Sequence, residues 1–146
     1  MLNFMIKKFV LRVYGILIKD DQVLLADECL NGFSFTKFPG GGVELGEGIA
    51  EALKREIVEE GQLEVTSYEH FYTTDFFQAS AFRPEDQIVS VYYRIEAEVP
   101  WMDYESDQSH ANNQHSVKLY FKPLSELDAS DLTFPIDKVV LGMLKA

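Results

Sequence analysis

Cysteine is almost missing from this chain, since Cys29 is the single cysteine among 146 residues. One cysteine cannot form an intramolecular disulfide and has no partner with which to hold a metal cluster. This excludes a small secreted scaffold held together by disulfides, and it suits a reducing compartment such as the cytoplasm. We expect Cys29 to pack as a small, half-buried hydrophobic residue.

Long hydrophobic runs are missing as well. Segments 9–11 and 13–18 are apolar, but Arg12 lies between them and the charged residues Lys19 and Asp20 follow. This stretch is far shorter than the roughly 20 apolar residues that span a membrane, and no small-residue cleavage site follows it. We therefore expect a soluble, cytoplasmic protein.

Positive charge is scarce. Thirteen Lys and Arg residues stand against 24 Asp and Glu residues, which gives a net charge of −11. Such a charge repels polyanions at long range and argues against nonspecific binding to nucleic acid or to a membrane surface. A small phosphorylated ligand would meet the same repulsion, and would need local cations, either Lys and Arg side chains or a bound metal.

One compact domain over residues 1–146 is the expectation from the chain length and a hydrophobic content of 47%. Branched and aromatic residues predict strands at 9–18, 23–26, 35–38, 65–80, 87–99 and 117–121. We expect the first two to pair as a hairpin, and the fourth and fifth to form a long hairpin that turns at 83–86. The polar segment 100–116 is expected to be an irregular loop.

The most secure helix is predicted from Gly48 to about Glu60, because strong helix formers recur there without proline. Gly61 is expected to end it. A short helical turn at 125–127 and a C-terminal helix after Pro135 complete the chain. Before the first helix, Pro39 leads into three glycines, which permit backbone conformations that other residues avoid.

Three carboxylates of the predicted helix converge. At 100° per residue, Glu56, Glu59 and Glu60 fall on an arc of about 100°, beside the apolar stripe of the helix. Like charges at these spacings destabilise a helix by roughly 0.2–0.5 kcal/mol per pair, and the C-terminal end of the helix disfavours anions. A hard divalent cation such as Mg²⁺ would relieve this repulsion, because it prefers oxygen ligands and accepts phosphate oxygens beside them.

A solvated acidic helix face is the alternative, and it would suffice for a lone Glu-Glu pair. The upstream glycine turn together with Glu47 and Arg55 favours the metal site instead. Arg55 is expected to pair with Glu51, one helical turn away, or to reach back to Glu47. In either case it would orient ligand carboxylates or form an exposed salt bridge.

This stretch resembles the Nudix box, the signature of a family of pyrophosphohydrolases. The residues that fit the pattern are Gly41, Glu47, Arg55, Glu56, Ile57, Glu59, Glu60 and Leu63. One position departs from it: Gln62 stands where the family has glycine, and Gly61 lies one place earlier. A shift by one residue should still permit a left-handed helix cap.

The resemblance implies the family's α/β/α sandwich, with a mixed, mostly antiparallel β-sheet between helices. It also implies that Glu56, Glu59 and Glu60, with the carbonyl of Gly40, bind the metal, and that Glu47 and Arg55 support them. Many members carry a further acid outside the box in a loop near the last strands. The candidates for that acid here are Asp103, Glu105 and Asp107, while Gln114 and His115 stand where related chains often have a glutamate. We expect His110 and His115 to be exposed loop residues, with a catalytic base as the alternative.

The implied activity is hydrolysis of a phosphoanhydride in a nucleoside diphosphate linked to another moiety, by water activated on Mg²⁺ or on Mn²⁺ in its place. The substrate would be a nucleotide sugar, a dinucleotide or a nucleoside triphosphate. Lys37 and Arg83 are candidates for phosphate contact, and Phe35 for stacking on the base, although surface and core roles are the alternatives.

Other readings of the same resemblance are a non-catalytic nucleotide-sensing binding module and an RNA-cap hydrolase. The retained acids disfavour the first, and the net charge disfavours the second. A homodimer is compatible with the long hairpins and the hydrophobic C-terminal helix.

Overall fold

The computed structural model describes residues 5–100, 103–109 and 114–146. Within these ranges the strands are β1 (Lys8–Ile16), β2 (Ile18–Lys19), β3 (Gln22–Leu30), β4 (Phe33–Lys37), β5 (Gly40–Gly42), β6 (Val65–Thr73), β7 (Asp86–Ala97), β8 (Glu105–Ser109) and β9 (His115–Pro123). The α-helices are α1 (Ile49–Gly61) and α2 (Pro135–Lys145). Short 3-10 turns lie at Leu124–Glu126 and Ala129–Asp131. In the described part of the chain, no helix is both long and apolar enough to cross a membrane.

The strands form two sheets. One has the order β5-β1-β7-β6, and the other has the order β2-β3-β9-β8 with β4 paired to β3. Strands β1 and β7 run parallel, from Lys8 opposite Asp86 to Ile16 opposite Arg94, and the other pairings are antiparallel. The predicted mixed, mostly antiparallel α/β fold is confirmed, with its strands divided between two sheets.

The sheets lie between the two helices, because strands β1 and β3 alternate their side chains between two cores. On one side, Leu53 and Ile57 of α1 pack in a buried cluster with Leu17, Leu24 and Leu119. On the other side, residues of α2 pack in a second cluster, which contains Ile16, Val23, Leu25, Phe38, Ile136, Val140 and Leu141. Both helices therefore cover apolar sheet surface, as in the sandwich that the sequence predicted.

The predicted hairpin between residues 9–18 and 23–26 is largely wrong. Only Ile18 and Lys19 pair with Val23 and Gln22, whereas β1 lies between β5 and β7. The second half of β1 is buried on both faces, and such a strand takes a central place in a sheet rather than an outer place in a hairpin.

Two further boundaries differ from the prediction. The strand predicted to end at residue 80 ends at Thr73, after which segment 74–85 leaves the sheet and returns in a single bridge between Ala79 and Gln87. The loop predicted at 100–116 contains β8, which pairs with β9. The sequence of β8 is polar and lacks the hydrophobic periodicity that is the main signal for strands, so this strand was not predicted. His110 lies outside the described residues.

The end of helix α1 explains the departure at Gln62. Gln62 itself adopts the left-handed conformation, with φ of 55°, and its N–H donates to the Val58 carbonyl at 2.9 Å. Gly61 is the last helical residue, where a Cβ atom would lie 2.5 Å from the Tyr104 hydroxyl and 2.6 Å from a Leu119 methyl. The left-handed C-cap is therefore still at position 62, although the glycine is at position 61. Gly61 instead allows Tyr104 and Leu119 to pack closely against the helix.

Candidate active site

A cavity of about 640 Å³ collects most of the predicted site residues. The cavity is lined by strands β1, β3, β4, β5, β7, β8 and β9, helix α1, the 78–82 segment and the first turn of α2. Glu56, Glu59 and Glu60 line it together with the glycine turn 40–42, so the three carboxylates predicted to share one arc of α1 lie in the same cavity wall.

The three helix carboxylates differ in exposure. Glu60 is 8% exposed, the Glu56 side chain is mostly buried and the Glu59 side chain is largely exposed. Burial raises the pKa of Glu60 well above that of an ordinary glutamate, against the opposing effect of the Lys37 ammonium. Among the described residues, Oε2 of Glu60 has no hydrogen-bond donor, so this carboxylate faces the cavity with an unused oxygen.

The glycine turn approaches these carboxylates closely enough to explain its composition. A Cβ atom on Gly41 would lie 2.5 Å from the Glu56 carboxyl carbon. Gly40 has φ of 148°, and a Cβ there would lie 2.1 Å from the Val13 carbonyl oxygen. Side chains at either position would clash, so the close approach of backbone to carboxylate depends on glycine.

Arg55 binds the loop before α1 to the helix. Its guanidinium donates to both carboxylate oxygens of Glu47, at 3.1 and 2.6 Å, and to the Gly42 carbonyl at 2.9 Å. It also donates to Glu56 at 3.0 Å and to Glu59 at 3.3 Å. The alternative partner Glu51 instead accepts from the Gly48 backbone N–H at 3.3 Å.

Lys37 is in the cavity wall but is buried, with 3% of its side chain exposed. Its ammonium donates to the carbonyl of Gly40 at 2.9 Å and lies 3.3 Å from Oε2 of Glu28. Burial acts to lower the pKa of Lys37, but the Glu60 and Glu28 carboxylates outweigh it and the pKa is raised. The side chain is therefore a buried cation.

Arg12 and Glu28 are two of the charged residues of the cavity wall that the sequence did not predict. Arg12 donates to the Tyr14 hydroxyl at 2.6 Å and interacts electrostatically with Glu28 and Glu56. Its position inside an apolar strand was the signal that could have identified it. Glu28 lies 2.6 Å from Nε2 of His115, so His115 belongs to the cavity wall rather than to an exposed loop.

The opposite part of the cavity wall is aromatic. Phe35 packs against Phe82 and Phe134, with ring centroids 5.4 and 5.3 Å apart. Beside them, Asp137 of α2 is almost fully buried and accepts a hydrogen bond from the Tyr92 hydroxyl at 2.5 Å. Burial raises the pKa of Asp137 to about 6, against the opposing effects of Tyr92, Lys37 and Arg12. Asp137 was also missed by sequence analysis.

Several predicted residues lie elsewhere. Arg83 is exposed and pairs within its own turn, with Glu85 at 3.2 Å and with Asp86 at 3.7 Å, so the structure does not bring it to the cavity. The acids proposed outside the box, Asp103, Glu105 and Asp107, are exposed, and Glu105 pairs with Lys118 at 3.1 Å. None of these acids lines the cavity.

The donors of the cavity fit a hard divalent cation, since they comprise carboxylate oxygens, two of which accept no hydrogen bond among the described residues, and a backbone carbonyl. Within the described ranges, however, no three His, Cys, Asp or Glu side chains converge closely enough to form a ready-made metal site. Arg55 and Lys37 contact the surrounding oxygens instead.

Known proteins resemble this chain in family and in fold. The family model of the NUDIX domain matches residues 8–138, whereas a search of the curated proteins finds no match. A structure of a mutator MutT protein from Bacillus halodurans is 22% identical, with a TM-score of 0.66, and the match covers 91% of this chain and 80% of that one. A MutT NUDIX hydrolase from Burkholderia pseudomallei is 16% identical, with a TM-score of 0.69 and coverages of 93% and 98%. A NUDIX hydrolase from Nitrosomonas europaea is 18% identical, with a TM-score of 0.65 and coverages of 93% and 89%. At these identities the likeness concerns the fold.

Proposed function

Because this chain belongs to the NUDIX family of pyrophosphohydrolases, we propose that it hydrolyses a phosphoanhydride in a nucleoside diphosphate linked to another moiety. Enzymes of this family act on small nucleotide derivatives and generally use a divalent metal. The observation that carries the proposal is a single cavity in which Glu56, Glu59 and Glu60 share the wall with the cations Arg12 and Lys37 and with an aromatic cluster.

The proposed metal is Mg²⁺, with Glu56, Glu59, Glu60 and the Gly40 carbonyl as its ligands. When bound, such an ion neutralises phosphate charge and lowers the pKa of water. Arg55 holds Glu56 and Glu59 in place through its hydrogen bonds, and Glu47 orients Arg55. The role of Arg55 is thus to position the carboxylates rather than to touch the substrate.

The substrate phosphates need cations, because the chain has a net charge of −11. Arg12 and Lys37 are the basic side chains of the cavity wall, and we assign phosphate contact to Arg12 in place of the predicted Arg83. The Arg12 guanidinium donates to the Tyr14 hydroxyl at 2.6 Å. This hydrogen bond would orient the guanidinium before a ligand binds.

The base would occupy the aromatic part of the cavity. Phe35, Phe82 and Phe134 supply apolar faces there, and Asp137 supplies a polar group on the same wall. A volume of about 640 Å³ is large enough for a nucleotide. In this proposal the base contacts the aromatic side chains and the phosphates contact Arg12.

The test is release of phosphate or nucleotide from a panel of nucleotide sugars, dinucleotides and nucleoside triphosphates, with Mg²⁺, with Mn²⁺ and with chelator. We expect metal-dependent turnover of one substrate class, and an Asp107→Asn control, altered outside the cavity, should match the wild type. If a nucleotide binds but nothing in the panel is hydrolysed, the protein is a sensing module and the proposed activity is wrong.

A further inference from the structure

Lys37 contacts the backbone oxygen that we have assigned to the metal. Its ammonium donates to the Gly40 carbonyl at 2.9 Å and to the Phe38 carbonyl at 3.3 Å. It lies 5.4 Å from the centre of the Tyr14 ring, and 3% of its side chain is exposed. Lys37 is thus a cation fixed inside the proposed metal site.

Buried carboxylates surround this ammonium. Oε2 of Glu28 lies 3.3 Å from it, and the buried Glu60 lines the same cavity wall as Lys37. The same two oxygens, Oε2 of Glu28 and Oε2 of Glu60, lack a hydrogen-bond donor among the described residues. Lys37 is thus a buried countercharge in a wall that holds two buried carboxylates, and Arg12 is a further cation that interacts with Glu28.

A divalent cation would compete with this arrangement. Mg²⁺ binds oxygen at about 2.1 Å, so an ion on the Gly40 carbonyl and an ammonium 2.9 Å from the same oxygen would lie at most about 5 Å apart. Both would be positive, and the Lys37 ammonium is buried, where screening by salt is weak. The two cations therefore repel each other strongly at this oxygen.

We infer that Lys37 competes with the catalytic divalent cation. In the absence of metal, its ammonium supplies the positive charge at the Gly40 carbonyl and Glu60 that the metal would supply. Binding of the metal would therefore displace the ammonium from that carbonyl. This inference rests on the proposed metal ligands. Glu28, which also lies beside His115 at 2.6 Å, keeps the displaced ammonium paired. Lys37 is accordingly a positioning residue that sets the affinity for the metal.

The experiment measures binding of Mn²⁺ alone, by the electron paramagnetic resonance signal of the free ion, and of Mg²⁺ by calorimetry. Lys37→Met removes the charge and the donor, whereas Lys37→Gln removes the charge and keeps a donor. Both should bind either metal at least 10-fold more tightly than the wild type, and Lys37→Arg should not. The matched control is Lys54→Met, which loses the same charge from a lysine of α1 that lies over the Tyr68 ring and outside the cavity wall.

Thermal unfolding gives a readout that does not depend on turnover. Without metal, Lys37→Met should melt below the wild type, because Glu28 and Glu60 lose their countercharge. Saturating Mn²⁺ should then raise its melting temperature more than it raises that of the wild type. If Lys37→Met is poorly folded, Lys37→Gln carries the same prediction.

Equal or weaker metal binding by both neutral variants overturns the inference. If the wild type binds metal and hydrolyses a substrate in that case, only the role of Lys37 is wrong. If the wild type neither binds metal nor hydrolyses any substrate, the proposed function fails together with it. If Lys54→Met binds the metal more tightly to the same degree, the effect comes from the net charge of the protein, and the inference is also wrong.

Discussion

The guanidinium of Arg55 donates hydrogen bonds to both carboxylate oxygens of Glu47, at 3.1 and 2.6 Å, although the two residues are eight positions apart in the sequence. The same group holds the Gly42 carbonyl at 2.9 Å. One side chain thereby fixes the glycine turn and the loop before α1 against the helix that bears the carboxylates. The Glu47 carboxylate also accepts a hydrogen bond from the Glu44 backbone N–H at 2.8 Å. The pKa of Glu47 is lowered mainly by its hydrogen bond with Arg55 and to a smaller extent by this backbone hydrogen bond.

Arg55→Lys should lower kcat about 10- to 100-fold, the usual size of an effect on a residue that orients metal ligands. A lysine keeps the charge but cannot donate in two directions to Glu47 and also to Gly42. Steady-state kinetics with the identified substrate measure this, with Arg83→Lys as the control on an exposed arginine. Full activity in Arg55→Lys would show that its planar geometry is dispensable.

Glu59→Gln should remove most turnover, at least 100-fold in kcat, while the fold stays intact or gains slightly in stability. The Glu59 side chain is 57% exposed, so an amide fits there, and the substitution relieves repulsion from Glu56 and Glu60. Activity and melting temperature are measured together. Glu69→Gln, on an exposed position of β6, is the control, and unfolding of Glu59→Gln without metal would contradict the prediction.

Asp137 should make stability depend on pH. Its pKa is raised from 3.8 to about 6 in the native state, so between these values the native state binds a proton that the unfolded chain has released. The contribution of the protonated carboxyl is therefore fully present below pH 3.8 and is lost as the pH rises through about 6.

Asp137→Asn removes this dependence and still offers an oxygen to the Tyr92 hydroxyl. Relative to the wild type, it should gain on the order of 2–3 kcal/mol in the free energy of unfolding between pH 4 and pH 7.5. Urea unfolding at both pH values measures the difference, in which the other titrating groups cancel. An equal difference between variant and wild type at the two pH values would exclude the raised pKa.

The end of α1 can be tested by two single substitutions. Gln62→Gly should stabilise the protein by about 1 kcal/mol, because the residue has a positive φ that a side chain disfavours. Gly61→Ala should destabilise it by about 1–3 kcal/mol, since the new methyl group meets Tyr104 and Leu119. Chemical denaturation of both variants checks the signs, and stabilisation by Gly61→Ala would contradict the packing described here.

Local pattern was enough to predict α1, α2 and the arc of Glu56, Glu59 and Glu60. Helical periodicity depends on residues three and four apart, so it is visible in a short stretch of sequence. The glycine turn was equally local. The resemblance added the sandwich, which the two buried clusters confirm.

The missed features depend on contacts between distant positions. Glu28 meets His115 across 87 residues, and Tyr92 meets Asp137 across 45. Neither pair leaves a periodic trace, because each partner reaches the cavity from its own element. The central place of β1 likewise follows from its parallel pairing with β7, which local propensity does not encode.

Segment 74–85 is joined to the sheet by a few hydrogen bonds. In two of them, the Thr74 hydroxyl donates to the Ser90 carbonyl and the Ile88 N–H donates to the Gln78 carbonyl. It nevertheless delivers Phe82 to the aromatic wall, far along the chain from the carboxylates of α1. The aromatic part of the cavity wall and its carboxylates are thus contributed by separate pieces of backbone. Under the proposed function, changes in the length or sequence of this segment should alter the preference for the base without moving Glu56, Glu59 or Glu60.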